Sequence, residues 1–252
     1  MGDKLVRISD DFYNVRGSFK VARLVDIGTQ ASLVRRAGGG WLMLDSYTLK
    51  GEVLDQVMAL TDDGRAIEAI LHLHPFHTVH VKRGAEQFPH ARQYGTDRHT
   101  RKAPDLPWQP ERTDQPACHA LFADDLDFSV PAGVDFVPDN EHLHFASVLA
   151  FHRASRTLHV DDTLMYSKLP LVGGLSFHPT LKRVLQRRAG AAAEFRAWAE
   201  GLIERCAQVE QICPAHTHLP PRATEPEGVA LQVRAALDAV RKMLDAHERA
   251  NG

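Results

Sequence analysis

The stretch "AILHLHPFHTVHV", residues 69–81, gathers His72, His74, His77 and His80 directly behind an apolar run. The run "AIEAILHLH" reads as a strand that ends at the histidines. His72 and His74 are two apart at that end, so their side chains are expected on the same side. His77 follows three residues later, where the chain should be turning into a helix. That spacing lets three imidazoles converge on a small volume, as a borderline-soft divalent cation requires. Phe76, in their midst, has no obvious place among polar ligands.

Upstream, "FKVARLVDIG" and "ASLVRRAGGGWLMLDSY" alternate or run apolar in strand fashion. Gly38, Gly39 and Gly40 between two such runs predict a hairpin turn, because glycine tolerates positive φ. After Asp45 the period changes, and Val53, Leu54, Val57 and Met58 share one face of a short helix. Residues 83–118 are polar, irregular and rich in proline and arginine, which predicts a surface excursion overhanging a site. Its Arg98, Arg101 and Lys102 read mainly as solvated charges, with an anionic substrate as the other reading.

Downstream, "LDFSVPAGVDFVP", "FASVLAFHRASRTLHVDDTL" and "VEQICPAH" supply further strands, with "RAS" as a hairpin turn. Phe195, Trp198 and Leu202 share a helical face, as do Val233, Leu237, Val240 and Leu244. Thr224 with Glu227 predicts a capping-box start for the last helix. Hairpins and strand–helix alternations together predict mixed sheets with helices on their outer faces, in one domain spanning residues 1–252.

The ordered polar residues resemble the metallo-β-lactamase superfamily. "HLHPFH" is similar to its HxHxDH motif at His72, His74 and His77, "VDDTL" to its GDTL segment at Asp162, and "ICPAH" to its PGH segment at His216. "LMLDSY" resembles the family's LIDTG strand, with Asp45 in the place of an aspartate that supports the ligands. The resemblance implies an α/β (α+β) fold, a four-layer αβ/βα sandwich of two mixed β-sheets with helices on the outer faces. It also implies a metal cleft along one edge of the sheets. By that likeness His72, His74 and a later histidine hold one cation, His77 and His216 a second, and Asp162 bridges both and can accept the attacking water's proton. The later histidine is His144, or alternatively His142. His218 is placed as a supporting neighbour, His159 as a packed cross-strand residue, His178 at a helix start and His80 at the surface.

One departure stands out. The family's aspartate between the second and third histidines is Phe76 here, and a phenyl ring can neither ligate a cation nor orient water. The expected cofactor is one or two divalent ions, zinc first, with iron or manganese as the other candidates. The implied activity is hydrolysis of a small-molecule ester, lactone, thioester or phosphodiester. The alternative is a metal- or ligand-binding protein that kept the fold and lost the chemistry.

Composition narrows the rest. The 252 residues are 44% hydrophobic, enough for a sizeable core, and Lys plus Arg (30) nearly balance Asp plus Glu (32). A net charge of −2 offers no basic field for nucleic acid or an anionic membrane. The N-terminal residues lack the apolar core of a signal peptide, and no run approaches the length of a membrane helix. The three cysteines form no CxxC pair, which argues against a disulfide framework. These readings predict a cytoplasmic protein.

Overall fold

Period-2 alternation divides almost every strand between two apolar layers. In the computed structural model, which describes residues 3–21, 25–168, 173–216 and 218–252, the N-terminal half forms β1 (Lys4–Ser9), β2 (Phe12–Gly17), a short antiparallel pair β3 (Lys20–Val21) and β4 (Val25–Asp26), β5 (Thr29–Arg35) and β6 (Trp41–Leu44). Helix α1 (Gly51–Leu60), β7 (Ile67–Leu71), α2 (Val81–Gln87) and β8 (Arg92–Tyr94) follow. The second half contains α3 (Asp97–Lys102), α4 (Pro116–Leu121), β9 (Leu126–Ser129), β10 (Leu149–His152), β11 (Thr157–Asp161), β12 (Leu164–Ser167) and β13 (Gly174–Phe177). It closes with α5 (Leu181–Val184), α6 (Ala191–Cys206), β14 (Gln211–Pro214) and α7 (Gly228–Asn251).

One sheet has the order β1-β2-β5-β6-β7-β8, the other β14-β11-β10-β9. Both are mixed: β6, β7 and β8 run parallel, as do β11 and β14, and the remaining ladders in these sheets are antiparallel. Val34, Leu42, Leu44 and Leu71 of the first sheet meet Ala150 and Cys213 of the second in the central layer. Their sequence neighbours Leu33, Met43 and Ile70 face the other way, against Val53 and Val57 of α1. On the far side Leu149, Phe151, Leu158 and Val160 pack on Phe195 and Leu202 of α6 and Val233 and Leu237 of α7. The result is the four-layer αβ/βα sandwich, helices outermost. Burying a leucine or phenylalanine contributes about 1.5–3 kcal/mol, so the three layers dominate the stability.

The glycine hairpin is present, with Gly39 at φ 98 between the antiparallel β5 and β6. So is the turn between β10 and β11. Three readings need correction. Residues 83–118 are far from irregular: they carry the end of α2, then β8 within the sheet, α3 and the start of α4, with Tyr94, His99 and Cys118 buried. Helix α7 has no capping box, because it starts at Gly228 with Glu227 as its left-handed N-cap (φ 59) and no side-chain cap. The strand "AIEAILHLH" stops at Leu71, before the histidines. Residues 22–24, within "FKVARLVDIG", lie outside the described residues. No helix among the described residues is long and apolar enough to cross a membrane.

Parallel pairing gathers the polar residues. β6, β7, β11 and β14 all end at one edge, delivering Asp45, the histidine stretch, Asp161–Asp162 and His216 to the same place.

Candidate metal centre

Asp162 is the centre of the site. It follows the end of β11, is 1% exposed, and its carboxylate is approached by several imidazoles. His74 Nε2 lies 3.2 Å and His77 Nε2 3.6 Å from Oδ2; His144 Nδ1 lies 3.9 Å from Oδ2, and His216 Nε2 3.1 Å from Oδ1. Two ligands on one tetrahedral zinc, each ~2.0–2.1 Å from it, stand about 3.4 Å apart. The cluster therefore has the spacing of a ligand set. It does not have the alignment of a hydrogen-bonded one: among the described residues Asp162 Oδ1 and His74 Nε2 are buried without a hydrogen-bond partner. His74, His77 and Asp162 each present a donor atom within 4.8 Å of the others.

The outer nitrogens show which lone pairs face inward. His216 Nδ1 is 2.6 Å from the Gly28 carbonyl and His144 Nε2 is 2.8 Å from the Glu141 carbonyl, so each donates outward. When deprotonated, each would turn its lone pair toward Asp162. His74 is different, because its Nδ1 accepts the Phe76 N–H at 3.1 Å. A neutral His74 in this orientation carries its proton on Nε2, facing the cluster. Among the described residues the donor atoms that close within 4.8 Å are those of His74, His77 and Asp162. His144 and His216 each face Asp162 and would have to move inward to share a cation with His77. His74 would ligate only with its ring turned over.

Burial would weaken these charges, but the neighbours decide otherwise. Desolvation pulls His77 down, yet Asp162, Asp161 and Asp45 outweigh it and raise its pKa to about 9. Desolvation pushes Asp162 up, and His216 and His74 overcome it, holding the carboxyl well below its ordinary range. His144 is lowered, first by burial and then by His74. Without a cation, the cluster is a buried carboxylate neutralised by imidazolium.

His72 does not join. Its backbone N–H continues the sheet by pairing with Tyr94, and its side chain keeps the outward alternation of Ile70, while Leu71 and Leu73 face the central layer. Its Nε2 meets Gln93 Oε1 at 3.1 Å, and its ring packs on His99 and Trp108. Burial lowers its pKa. The same-side expectation for His72 and His74 fails because the chain leaves strand geometry between them.

Of the alternatives for the later histidine, His144 is in the cluster and His142 is exposed. The Thr180 hydroxyl bonds the His144 carbonyl, and His178 Nδ1 bonds that hydroxyl (2.7 Å) ahead of α5. His80 is half-buried rather than on the surface, accepting from Thr48 through Nδ1. His218, expected as a supporting neighbour, belongs to neither of the groups of possible ligands found among the described residues.

Phe76 is 9% exposed and roofs the site. Its ring stacks on His144 at 4.7 Å and carries the Arg98 guanidinium at 4.4 Å on a face. Arg98 is in turn tied to Glu141, at 2.8 Å.

Beneath the cluster lies a polar layer of which the sequence reading caught only Asp45 and His159. Asp45 (φ 56) accepts the backbone N–H of Leu73 at 2.9 Å through Oδ1, and its Oδ2 meets His159 Nε2 at 3.0 Å. His159 Nδ1 pairs with Ser32, at 3.0 Å. Gln30 reaches Asp161 Oδ1 (3.2 Å) and the Cys213 carbonyl (2.8 Å), while Arg16 donates to the Pro214 carbonyl (2.6 Å), fixing the segment that carries His216. The doubled aspartate of "VDDTL" is the one signal in the sequence for Asp161.

A cleft open to solvent is lined by Phe19, Thr29, Gln30, Ser46, Phe76 and Val79 together with the histidines His77, His80, His144 and His216, and among the described residues no lysine or arginine lines it. Solved structures share this architecture. The DIM-1 metallo-β-lactamase exposed to ceftazidime matches with a TM-score of 0.62 and 11% identity, over 94% of this chain and 97% of that one. A metallo-β-lactamase from Erythrobacter litoralis, with β-mercaptoethanol in its active site, gives 0.57 and 12%, over 99% and 98%. FIM-1 from Pseudomonas aeruginosa, in a mono-zinc form, gives 0.56 and 13%, over 94% and 97%. The chain has the metallo-β-lactamase fold. No protein-family model and no curated protein sequence matches it.

Proposed function

We propose that the chain is a metal-dependent hydrolase of the metallo-β-lactamase superfamily, acting on a small ester, lactone or thioester. The observation that carries this reading is the convergence of His74, His77, His144 and His216 on one buried carboxylate, with Asp162 Oδ1 left without a hydrogen-bond partner. Asp162 and His77, joined by His144 and His216 once their rings move inward, would hold a divalent cation, zinc by the choice of nitrogen and oxygen donors. When bound, such a cation supplies Lewis acidity, polarising a scissile carbonyl and letting water attack near neutral pH. Asp162 stays ionised and can accept a hydrogen bond from attacking water through Oδ1. His74 Nε2–H faces Asp162 Oδ2 at 3.2 Å and helps keep that carboxylate ionised. The rim formed by the described residues, with Phe19, Phe76 and Val79 and no lysine or arginine among them, favours an uncharged carbonyl substrate over a phosphodiester.

Phe76 and the withdrawn His72 favour a second reading, a metal-binding protein without turnover. Two measurements separate them. Elemental analysis of purified protein should find about one zinc per chain, and chelation should lower the melting temperature; saturation at 100 Kd is worth ~2.7 kcal/mol. Turnover of ester, lactone or thioester substrates should vanish in Asp162→Asn. Metal-loaded protein that turns over none of them supports the second reading, and protein that binds no metal overturns both.

A further inference from the structure

We propose that Asp161 is a positioning residue for the metal centre, compensating for phenylalanine at position 76 by fixing His77. The inference rests on the metal-binding reading of the Asp162 cluster. Two of the imidazoles facing Asp162 have their outer nitrogens tied to acceptors, His144 to the Glu141 carbonyl and His216 to the Gly28 carbonyl. Such outer partners set the tautomer and the ring orientation of a ligating histidine. Among the described residues no carbonyl plays this part for His77. The carboxylate facing its Nδ1 is Asp161 Oδ1, at 3.8 Å an ionic contact rather than a hydrogen bond, while its Nε2 faces Asp162. The charge of Asp161 favours a proton on Nδ1, which leaves the Nε2 lone pair for a cation.

The backbone supports a dedicated role. Asp161 has φ 43, in the left-handed region that a non-glycine side chain enters at a cost, and such residues gather at functional sites. The ladder between β11 and β14 shifts register at this point, a bulge of the kind that re-aims a side chain. Asp161 is 1% exposed, and its Oδ2 has no hydrogen-bond partner. Asp45, His77 and Asp161 each bring a donor atom within 4.8 Å of the others. His159 Nε2 lies 3.0 Å from Asp45 and 3.3 Å from Asp161, so the imidazole bridges the two carboxylates from below. Asp161 therefore adds negative charge behind His77, on the opposite side of the ring from Asp162. A carboxylate at position 76 would have added that charge directly.

The test is zinc affinity by competition with a chromophoric chelator, on wild type, Asp161→Asn and Asp161→Gly. Asparagine keeps the size and removes the charge; glycine suits the left-handed backbone, so one variant remains informative if the other misfolds. Both should weaken zinc binding by about 10–100-fold, the range for lost outer-shell partners. The visible spectrum of the cobalt(II) forms should change as well, which a purely structural role would not produce. Wild-type affinity and an unchanged cobalt spectrum in a folded variant overturn the role of Asp161 alone. Wild-type protein that binds neither metal overturns the metal reading with it.

Discussion

Two groups of histidines grow out of residues 69–81, and they differ in what their ring nitrogens meet. His74 and His77 turn toward a buried carboxylate, where distances of 3.2 and 3.6 Å come without hydrogen-bond alignment. His72 turns the other way, into a pocket of Gln93, His99 and Trp108. There burial keeps both rings neutral, His99 well below its ordinary pKa. Both groups are wholly or largely buried and lie within a few residues of each other. The lesson is that spacing brings imidazoles to a region, whereas the charge and the hydrogen-bond partners already there decide which of them can ligate.

The sharpest way to break this comparison is to truncate one histidine from each group. His216→Ala should leave a folded protein that no longer holds zinc at stoichiometric concentration. One ligand in four, from a total of ~10–16 kcal/mol for a structural-type zinc site, is roughly 3 kcal/mol, or at least a hundredfold in affinity. His72→Ala should do the reverse. Zinc content stays, while stability falls by about 2–4 kcal/mol from the lost packing and the unpaired Gln93 acceptor. Elemental analysis and urea titrations read both effects. Loss of zinc in His72→Ala would restore His72 to the ligands and end the distinction.

How much of this is legible in the sequence depends on the residue. Strands with alternating faces, such as Leu33–Val34 and Leu149–Ala150–Phe151, announce both layers they serve, and α6 and α7 show their buried stripes. The edge where the site forms follows from the ordered motif, so His74, His77, His144, Asp162 and His216 are recoverable. His72 is not, because a two-residue period holds only while the strand continues, and β7 ends at Leu71. Nor is the outward N–H of His216, whose acceptor Gly28 is 188 residues away in sequence. Residues 83–118 look irregular because their elements are short, the longest described being α3 with 6 residues wholly inside the stretch. Asp161 carries one sign, the doubled aspartate, and its left-handed backbone is invisible in the letters.

The layer beneath the cluster offers a gentler test. Burial would lower His159, but Asp161 and Asp45 outweigh it and raise its pKa to about 9; His77 moves the same way. A folded pKa above the unfolded value of ~6.5 means stability that is fully present below pH 6.5 and lost as pH rises through 9. Asp45 is shifted below its ordinary value, once His159 overcomes the cost of burial, so its contribution fades only on acidification below pH ~4. Chelated protein should therefore melt highest between pH ~4 and 6.5 and decline toward 9. Each proton contributes a slope of at most ~1.4 kcal/mol per pH unit. His159→Gln should roughly halve the decline, leaving the share of His77. A flat profile from pH 6.5 to 9 in the chelated wild type would show that the two histidines do not carry charge there.

The smallest effect is expected at Phe76, and it asks whether the roof of the site can be rebuilt as part of it. The ring stacks on His144, meets His74 edge-on and carries Arg98 on a face, so Phe76→Asp exchanges three aromatic contacts for a carboxylate beside a guanidinium. A buried carboxylate without a partner would be costly, but Arg98 stands close enough to pair with it. That pairing competes with ligation, and Arg98 is already held by Glu141, at 2.8 Å. The net gain in zinc affinity should therefore be modest, about three- to tenfold, or ~1 kcal/mol. In the Arg98→Ala background the new carboxylate has no competing partner, and the gain should be larger. Zinc competition on Phe76→Asp, Arg98→Ala and the double variant resolves the cycle. Additive effects would mean that position 76 and Arg98 do not communicate. An unchanged affinity in every folded variant would mean that position 76 lies beyond reach of the cation, and that Phe76 only shields the cluster from water.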